Sequence, residues 1–166
     1  MTAEALNYPF TLDRPAIQAL LPHRGDIFVC EQLRVEGPHH FQGVARWPLE
    51  NGVIQGHFPG LPVVPGVFLI ETLAQLAGAG LLAGDPYVRS LEGDLIGVLA
   101  SVRKSIFKRP VVPQTEVEFR IQCRQMAPMA VQVGGTVHVG AAEVAQLDIL
   151  IAYTARPQLM AALQGG

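Results

Sequence analysis

Apolar and polar positions follow two rhythms along this chain. From Pro65 to Ala83 nearly every residue is apolar or small, reading Pro-Gly-Val-Phe-Leu-Ile-Glu-Thr-Leu-Ala-Gln-Leu-Ala-Gly-Ala-Gly-Leu-Leu-Ala, a run too long for a strand. It predicts one long helix, buried all round, with Pro65 suited to its first turn. The run is almost long enough to cross a membrane. Its interior holds Glu71 and Gln75, however, and a charge at mid-membrane costs roughly 2.5–3.5 kcal/mol, so no membrane span is expected. Four positions apart, these two residues share a helix face and cut a polar notch in a dry cylinder.

Elsewhere the period is two. Segments 27–35, 40–47, 96–105, 115–125, 130–139 and 143–153 read as strands, broken by turn signals such as Gly37-Pro38. Asp13 is placed to cap a short helix reaching Leu21, with Pro15 in its first turn, while Asp85-Pro86 opens a loop. One buried helix among about six strands predicts an α+β layer arrangement, not alternating βαβ units. The chain has 166 residues and no internal repeat, which suits a single domain over 1–166 with its core at about 12–153. The first eight residues and the tail after Arg156 are weakly patterned; Met160-Ala161-Ala162-Leu163 suggests a frayed helical turn and Gly165-Gly166 a mobile end.

Composition sharpens this. Hydrophobic residues make up 49% and charged residues only 16%, so part of the apolar surface is expected to be covered by another subunit. A net charge of −2 argues against general nucleic-acid binding. The N-terminus lacks the basic-then-apolar pattern of a secretory leader, which makes the location cytoplasmic by default. Cys30 and Cys123 fall in strand-like runs without ligand spacing and read as buried thiols. His39 and His40 flank a turn and His138 sits in a late strand; without partners at ligand spacing they read as solvated residues, and no metal is expected.

The chemistry concentrates at Gly56-His57-Phe58-Pro59-Gly60 and at the helix that follows. Histidine titrates near neutral pH, and a glutamate is moved there by burial, so His57 and Glu71 form a candidate acid/base pair. Pro59, Pro62 and Pro65 stiffen the connecting loop, while Gly56, Gly60 and Gly66 permit positive φ and close ligand approach. At the helix start Gly66 and Val67 offer uncommitted N–H groups that suit a thioester carbonyl and a developing enolate.

These residues fall into four blocks: Leu21-Pro22-His23-Arg24; Gly56 to Gly60 with Pro65-Gly66-Val67; Glu71 with Ala74-Gln75; and Phe107-Lys108-Arg109-Pro110-Val111-Val112-Pro113. In this order they resemble the 3-hydroxyacyl-[acyl-carrier-protein] dehydratases of the FabZ type, from about residue 12 to Tyr153. The fourteen positions from His57 to Glu71 match that family's catalytic pair; the related FabA dehydratase-isomerases carry Asp where this chain has Glu71, which favours simple dehydration. The resemblance implies a hotdog fold, a curved antiparallel sheet wrapped around the long helix, and a homodimer or trimer of dimers with sites at the subunit interface. It also implies roles: His57 takes the α-proton, Glu71 of the other subunit protonates the leaving hydroxyl, Gly66 and Val67 hold the thioester oxygen, and Gln75 orients Glu71 or a water. No metal or organic cofactor is needed, because the thioester itself acidifies the α-proton. His23 is read as structural or entrance-lining.

Arg103, Lys104, Lys108 and Arg109 crowd around Phe107, with Arg120 and Arg124 on the next strand-like run. They are a solvated face or a docking patch for acyl carrier protein and its phosphopantetheine, and a coenzyme A nucleotide would favour the same patch. Gly25-Asp26, Cys30-Glu31-Gln32, Arg103 and Ile106 depart from the family pattern, which points to a specialised polyketide-like or lipid pathway instead of housekeeping fatty-acid elongation. A hotdog acyl-thioesterase, an enoyl-CoA hydratase and a non-catalytic acyl-binding module are the alternatives.

Overall fold

The computed structural model describes residues 6–165. Seven antiparallel strands form one sheet in the order β1-β2-β3-β5-β6-β7-β4, built from β1 (Phe10–Asp13), β2 (Cys30–Gly37), β3 (His40–Ala45), β4 (Leu95–Phe107), β5 (Val117–Ala127), β6 (Ala130–Val139) and β7 (Ala142–Ala155). The helices are α1 (Arg14–Leu20), α2 (Gly52–His57), α3 (Gly66–Gly84), α4 (Pro86–Ser90) and α5 (Arg156–Gln164). The inward residues of β2, β3, β5, β6 and β7, among them Leu33, Phe41, Phe119, Val133 and Ile149, bury against Leu73, Leu76 and Leu81 of α3 in one core. The α+β expectation, with one long helix held in a curved sheet, is borne out.

Close approach of helix and sheet depends on glycine at two contacts. A Cβ on Gly43 of β3 would lie 2.5 Å from Leu76, and one on Gly80 of α3 would lie 2.7 Å from the Phe41 ring. Both side chains are fully buried and have nowhere to retreat.

Several elements differ from the sequence expectation. The described residues hold seven strands where about six were expected; the addition, β1, is four residues long, and its last residue, Asp13, already caps α1 by accepting from the Ala16 N–H at 3.0 Å. So short a strand shows no readable period. The strand expected from 27 starts at Cys30, because Gly25–Ile27 forms a single 3-10 turn opened by Gly25 at φ 65°. Asp85-Pro86 opens α4 instead of a loop, with the Asp85 carboxylate accepting from Tyr87 and Val88 N–H groups. The tail expected to fray forms the nine-residue α5. The expectations for residues 1–5 and for Gly166 lie outside the described residues.

Two further corrections bear on the site. Pro65 stands just before α3 as its cap, so Gly66 is the first helical residue. Helix α3 is not buried all round: Val67, Glu71, Ala74, Gly78 and Leu82, spaced three or four apart, form a stripe that the protomer leaves partly uncovered. The helix passes a length and composition test for crossing a membrane, yet 56% of its most apolar window is buried in protein. It is a core helix with one open face.

Candidate active site

His57 is held by a short helix whose start is tied down twice. Asn51 caps α2, its Oδ1 accepting from the Val53 and Ile54 N–H groups, while its Nδ2 donates to the Asp26 carbonyl at 2.9 Å. The Gly52 N–H donates to the Asp26 carboxylate at 3.3 Å, and Ile54 is buried in the core. The chain is therefore helical up to His57, and of Gly56, Gly60 and Gly66, all expected to permit positive φ, only Gly60 adopts one. Sequence reading missed Asn51 and Asp26; an Asn directly before a short apolar stretch is the capping signal that points to them.

The His57 ring places Nδ1 3.3 Å from the Val63 carbonyl and packs on Phe58 with centroids 4.1 Å apart. A carbonyl only accepts, so the proton belongs on Nδ1 and the Nε2 lone pair is left free, as a general base requires. Beside it, a cavity of about 450 Å³ is lined by His57, Gly66, Val67, Phe107, Lys108 and Arg109. As the first residues of α3, Gly66 and Val67 have no acceptor one turn back for their N–H groups. Gly66 also makes room for Phe107, whose ring lies 3.0 Å from where a Cβ would stand.

Glu71 belongs to a second cavity, of about 370 Å³, which it lines with Gln75 and His23 and which runs past Ala74, Gly78 and Leu82 to Tyr153. An Asp94–Arg156 ion pair at 2.8 Å lines its wall. Gln75 is 2% exposed and fully bonded: its Nε2 donates to Glu71 Oε1 at 2.8 Å and to the Ile27 carbonyl at 3.0 Å, and its Oε1 receives the Cys30 thiol at 3.8 Å. The Glu71 side chain keeps 33% exposure, so the burial expected of it is incomplete in a single chain. His57 does not line this cavity and Glu71 does not line the first, so within one chain the two candidate residues stand in separate cavities.

Burial pushes the Cys30 thiol up to about 12 and Cys123 likewise, which keeps both neutral and bears out their reading as buried free thiols. Burial also lowers His23, against the opposing pull of Glu71. His39 is not a purely solvated residue: its Nε2 sits 2.9 Å from the buried Asp85 carboxylate and ties the β2–β3 turn to the end of α3. His138 is likewise mostly buried, with Nε2 3.0 Å from the Thr136 hydroxyl.

The basic residues divide. Lys108 and Arg109 share the His57 cavity, with Lys108 bonded to Glu143 and thereby lowering that carboxyl's pKa. Lys104 lies instead in a groove on the sheet with Arg120 and Arg124, and Arg103 sits at a β4 bulge. Arg120 and Arg124 are on β5, which two strands separate from β4.

Residues 48–149 match the FabA-like domain. The chain belongs to the FabA-like family. Among FabA-like relatives, the 3-hydroxyacyl-[acyl-carrier-protein] dehydratase FabZ of Koribacter versatilis is 30% identical over 130 residues, covering 78% of this chain and 81% of that protein. FabZ of Rhizobium leguminosarum bv. trifolii is 33% identical over 124 residues, covering 73% and 76%. The resemblance to FabZ-type enzymes is thus borne out. Among solved structures, the dehydratase heterocomplex ApeI:P from Xenorhabdus doucetiae superimposes with a TM-score of 0.72 at 14% identity, over 89% of this chain and 96% of that one. The fluoroacetyl-CoA thioesterase FlK gives 0.62 at 14% identity over 78% and 95%. At such identities these two establish the shared hotdog fold alone.

Proposed function

We propose that this FabA-like chain dehydrates (3R)-hydroxyacyl thioesters carried on acyl carrier protein to trans-2-enoyl thioesters, in fatty-acid or specialised polyketide or lipid synthesis. The observation that carries the reading is the division of the site. One cavity pairs a free imidazole Nε2 with helix-start N–H groups; the other pairs a fixed carboxyl with an apolar channel. Neither half dehydrates alone, and a second copy completes both.

The same surfaces support a homodimer. Strand β4 is thirteen residues long, among the described residues pairs only with β7, and exposes Leu99, Val102, Ile106 and Phe107 at the edge of the sheet, an association hazard unless covered. Covering that edge and the open stripe of α3 would desolvate Glu71 and bring His57 of the partner subunit to it. Further assembly into a trimer of dimers, a cytoplasmic location and a single hotdog domain with its core at 12–153 complete the reading.

In the assembled site the Gly66 and Val67 N–H groups hold the thioester oxygen and make the α-proton acidic. His57 Nε2 removes that proton, the C3–O bond breaks, and Glu71 supplies a proton so that water leaves. The acyl chain lies along Ala74, Gly78 and Leu82, and Gln75 fixes Glu71. Lys108 and Arg109, at the His57 mouth, meet the carrier and its phosphopantetheine phosphate, with Arg103 and Lys104 extending the basic face.

The test is mass-spectrometric turnover of a (3R)-hydroxyacyl thioester on acyl carrier protein and on coenzyme A. Loss of water, faster on the carrier protein and absent in His57→Ala, is the expected result. Release of free acid sinks the dehydratase reading in favour of a thioesterase, and an unchanged thioester sinks it in favour of binding alone.

A further inference from the structure

His23 lies in the same protomer as Glu71 and directly against it, with Nε2 3.5 Å from Oε1. Its own backbone is braced by Arg24, whose guanidinium donates to the Leu21 and His23 carbonyls at 2.7 and 2.6 Å. The segment after α1 is tied to the second and third turns of α3 by Gln75, whose Nε2 donates to the Ile27 carbonyl at 3.0 Å.

Hydrogen-bond accounting decides which oxygen of Glu71 carries a proton. The Gln75 amide cannot be turned around, because the Ile27 carbonyl accepts only and the Cys30 thiol needs an acceptor. Gln75 Nε2 therefore donates to Glu71 Oε1, and Oε1 is an acceptor. The His23 ring faces that same oxygen with Nε2, while its Nδ1 is buried without a hydrogen-bond partner among the described residues. A proton on Nδ1 would be wasted and would set two lone pairs against each other at Nε2. The tautomer that fits carries its proton on Nε2, the ring nitrogen nearer Oε1. At 3.5 Å the contact is long, as catalytic contacts often are before substrate closes a site.

We propose that His23 is a positioning residue for Glu71. With Gln75 it presents two donors to Oε1, reserves Oε2 for the acidic proton, and stabilises the carboxylate left after proton donation. Burial supports this by lowering the His23 pKa and keeping the ring neutral, so that it donates without adding a charge. The charged and titratable groups around the pair among the described residues are Arg24 beside His23, the neutral Cys30 thiol behind Gln75, the buried Tyr153 phenol further along the cavity, and Asp94 and Arg156, which bind each other on its wall. In the dimer proposed above, His57 of the second copy joins them.

A donor to the ionised form lowers a carboxyl pKa, so its removal raises it. The experiment is a ¹³C NMR titration of full-length protein labelled at its glutamate carboxyls, with Glu71 assigned by the signal lost in Glu71→Gln. His23→Leu, and His23→Phe should the first fail to fold, are expected to move the Glu71 midpoint up by at least about 0.5 pH unit, whereas His23→Gln, which keeps an N–H donor, recovers most of the shift. In turnover, His23→Leu should move the alkaline limb of kcat upward by the same amount and leave KM nearly unchanged. An unmoved Glu71 midpoint in a folded His23→Leu protein overturns the assignment, as does a His23→Gln protein that shifts as far as His23→Leu. The kinetic arm rests on the dehydratase reading and the titration does not. A wild-type chain that loses no water sinks that reading, while an unmoved midpoint in an active enzyme sinks the role of His23.

Discussion

Replacing Gln75 by leucine tests whether a buried amide works for the fold or for the acid. The side chain is 2% exposed and gives both amide protons to acceptors, at 2.8 Å to Glu71 and 3.0 Å to the Ile27 carbonyl. A hydrogen bond to a charged acceptor is worth about 1.5–3 kcal/mol, and an orphaned buried carbonyl costs about 1–3 kcal/mol. Leucine has similar volume and gains apolar burial of roughly 1.5–3 kcal/mol, which offsets much of the folding loss. The expected stability change is therefore about 1–2 kcal/mol, a Tm drop of roughly 2–8 °C for a chain of this size. Activity has no such offset, because leucine cannot hold a carboxyl. If the whole bond to Glu71 is used in the transition state, its loss lowers kcat roughly 10- to 150-fold. Ala74, Gly78 and Leu82, assigned to the acyl chain, are unchanged, so KM should stay within about twofold. Steady-state dehydration beside a thermal melt of the same preparation separates the two effects. A lowered Tm with wild-type kcat would refute the reasoning and leave Gln75 a packing residue.

Three further outcomes are expected. Gly80→Ala sets a methyl 2.7 Å from the buried Phe41 ring; overpacking of about 1–3 kcal/mol exceeds the helix-propensity gain of about 1 kcal/mol, so the Tm should fall, and a rise would show that the helix–sheet contact yields. With both thiols buried and pushed up to about 12, native protein should resist alkylation at pH 8 and react once denatured; fast native labelling would place a thiol at the surface. Changing Lys108 and Arg109 together to Glu should weaken use of a carrier-bound substrate at least about tenfold more than use of a short thioester analogue, and equal losses would exclude a docking role.

What the sequence made legible follows from how far each signal reaches. The nineteen residues of α3 carry enough apolar density to announce a helix, and β5, β6 and β7 alternate over ten to fourteen residues. Strand β1 and helices α2 and α4 are four to six residues long, and each is held by a cap or a neighbour more than by its own pattern. His57, Glu71 and Gln75 were visible as a motif, and the bond from Gln75 to Glu71 follows from their four-residue spacing. The nearness of His23 to Glu71 was not visible, because the two lie 48 positions apart with β2, β3 and α2 between them, and His23 sits in a loop with no period of its own. For the same reason His39 looked like a free turn residue: its partner Asp85 lies at the opposite end of the core helix.

The division of the site between two cavities has a genetic consequence. In the proposed dimer each site draws its base from one copy and its acid from the other. A His57→Ala chain and a Glu71→Gln chain, each inert alone, would then complement when mixed. Every hybrid dimer carries one doubly defective site and one intact site, and random 1:1 pairing makes half the dimers hybrids, so about a quarter of all sites recover. Two damaged alleles of this gene would restore each other in one cell, whereas two alleles damaged at the same residue would not.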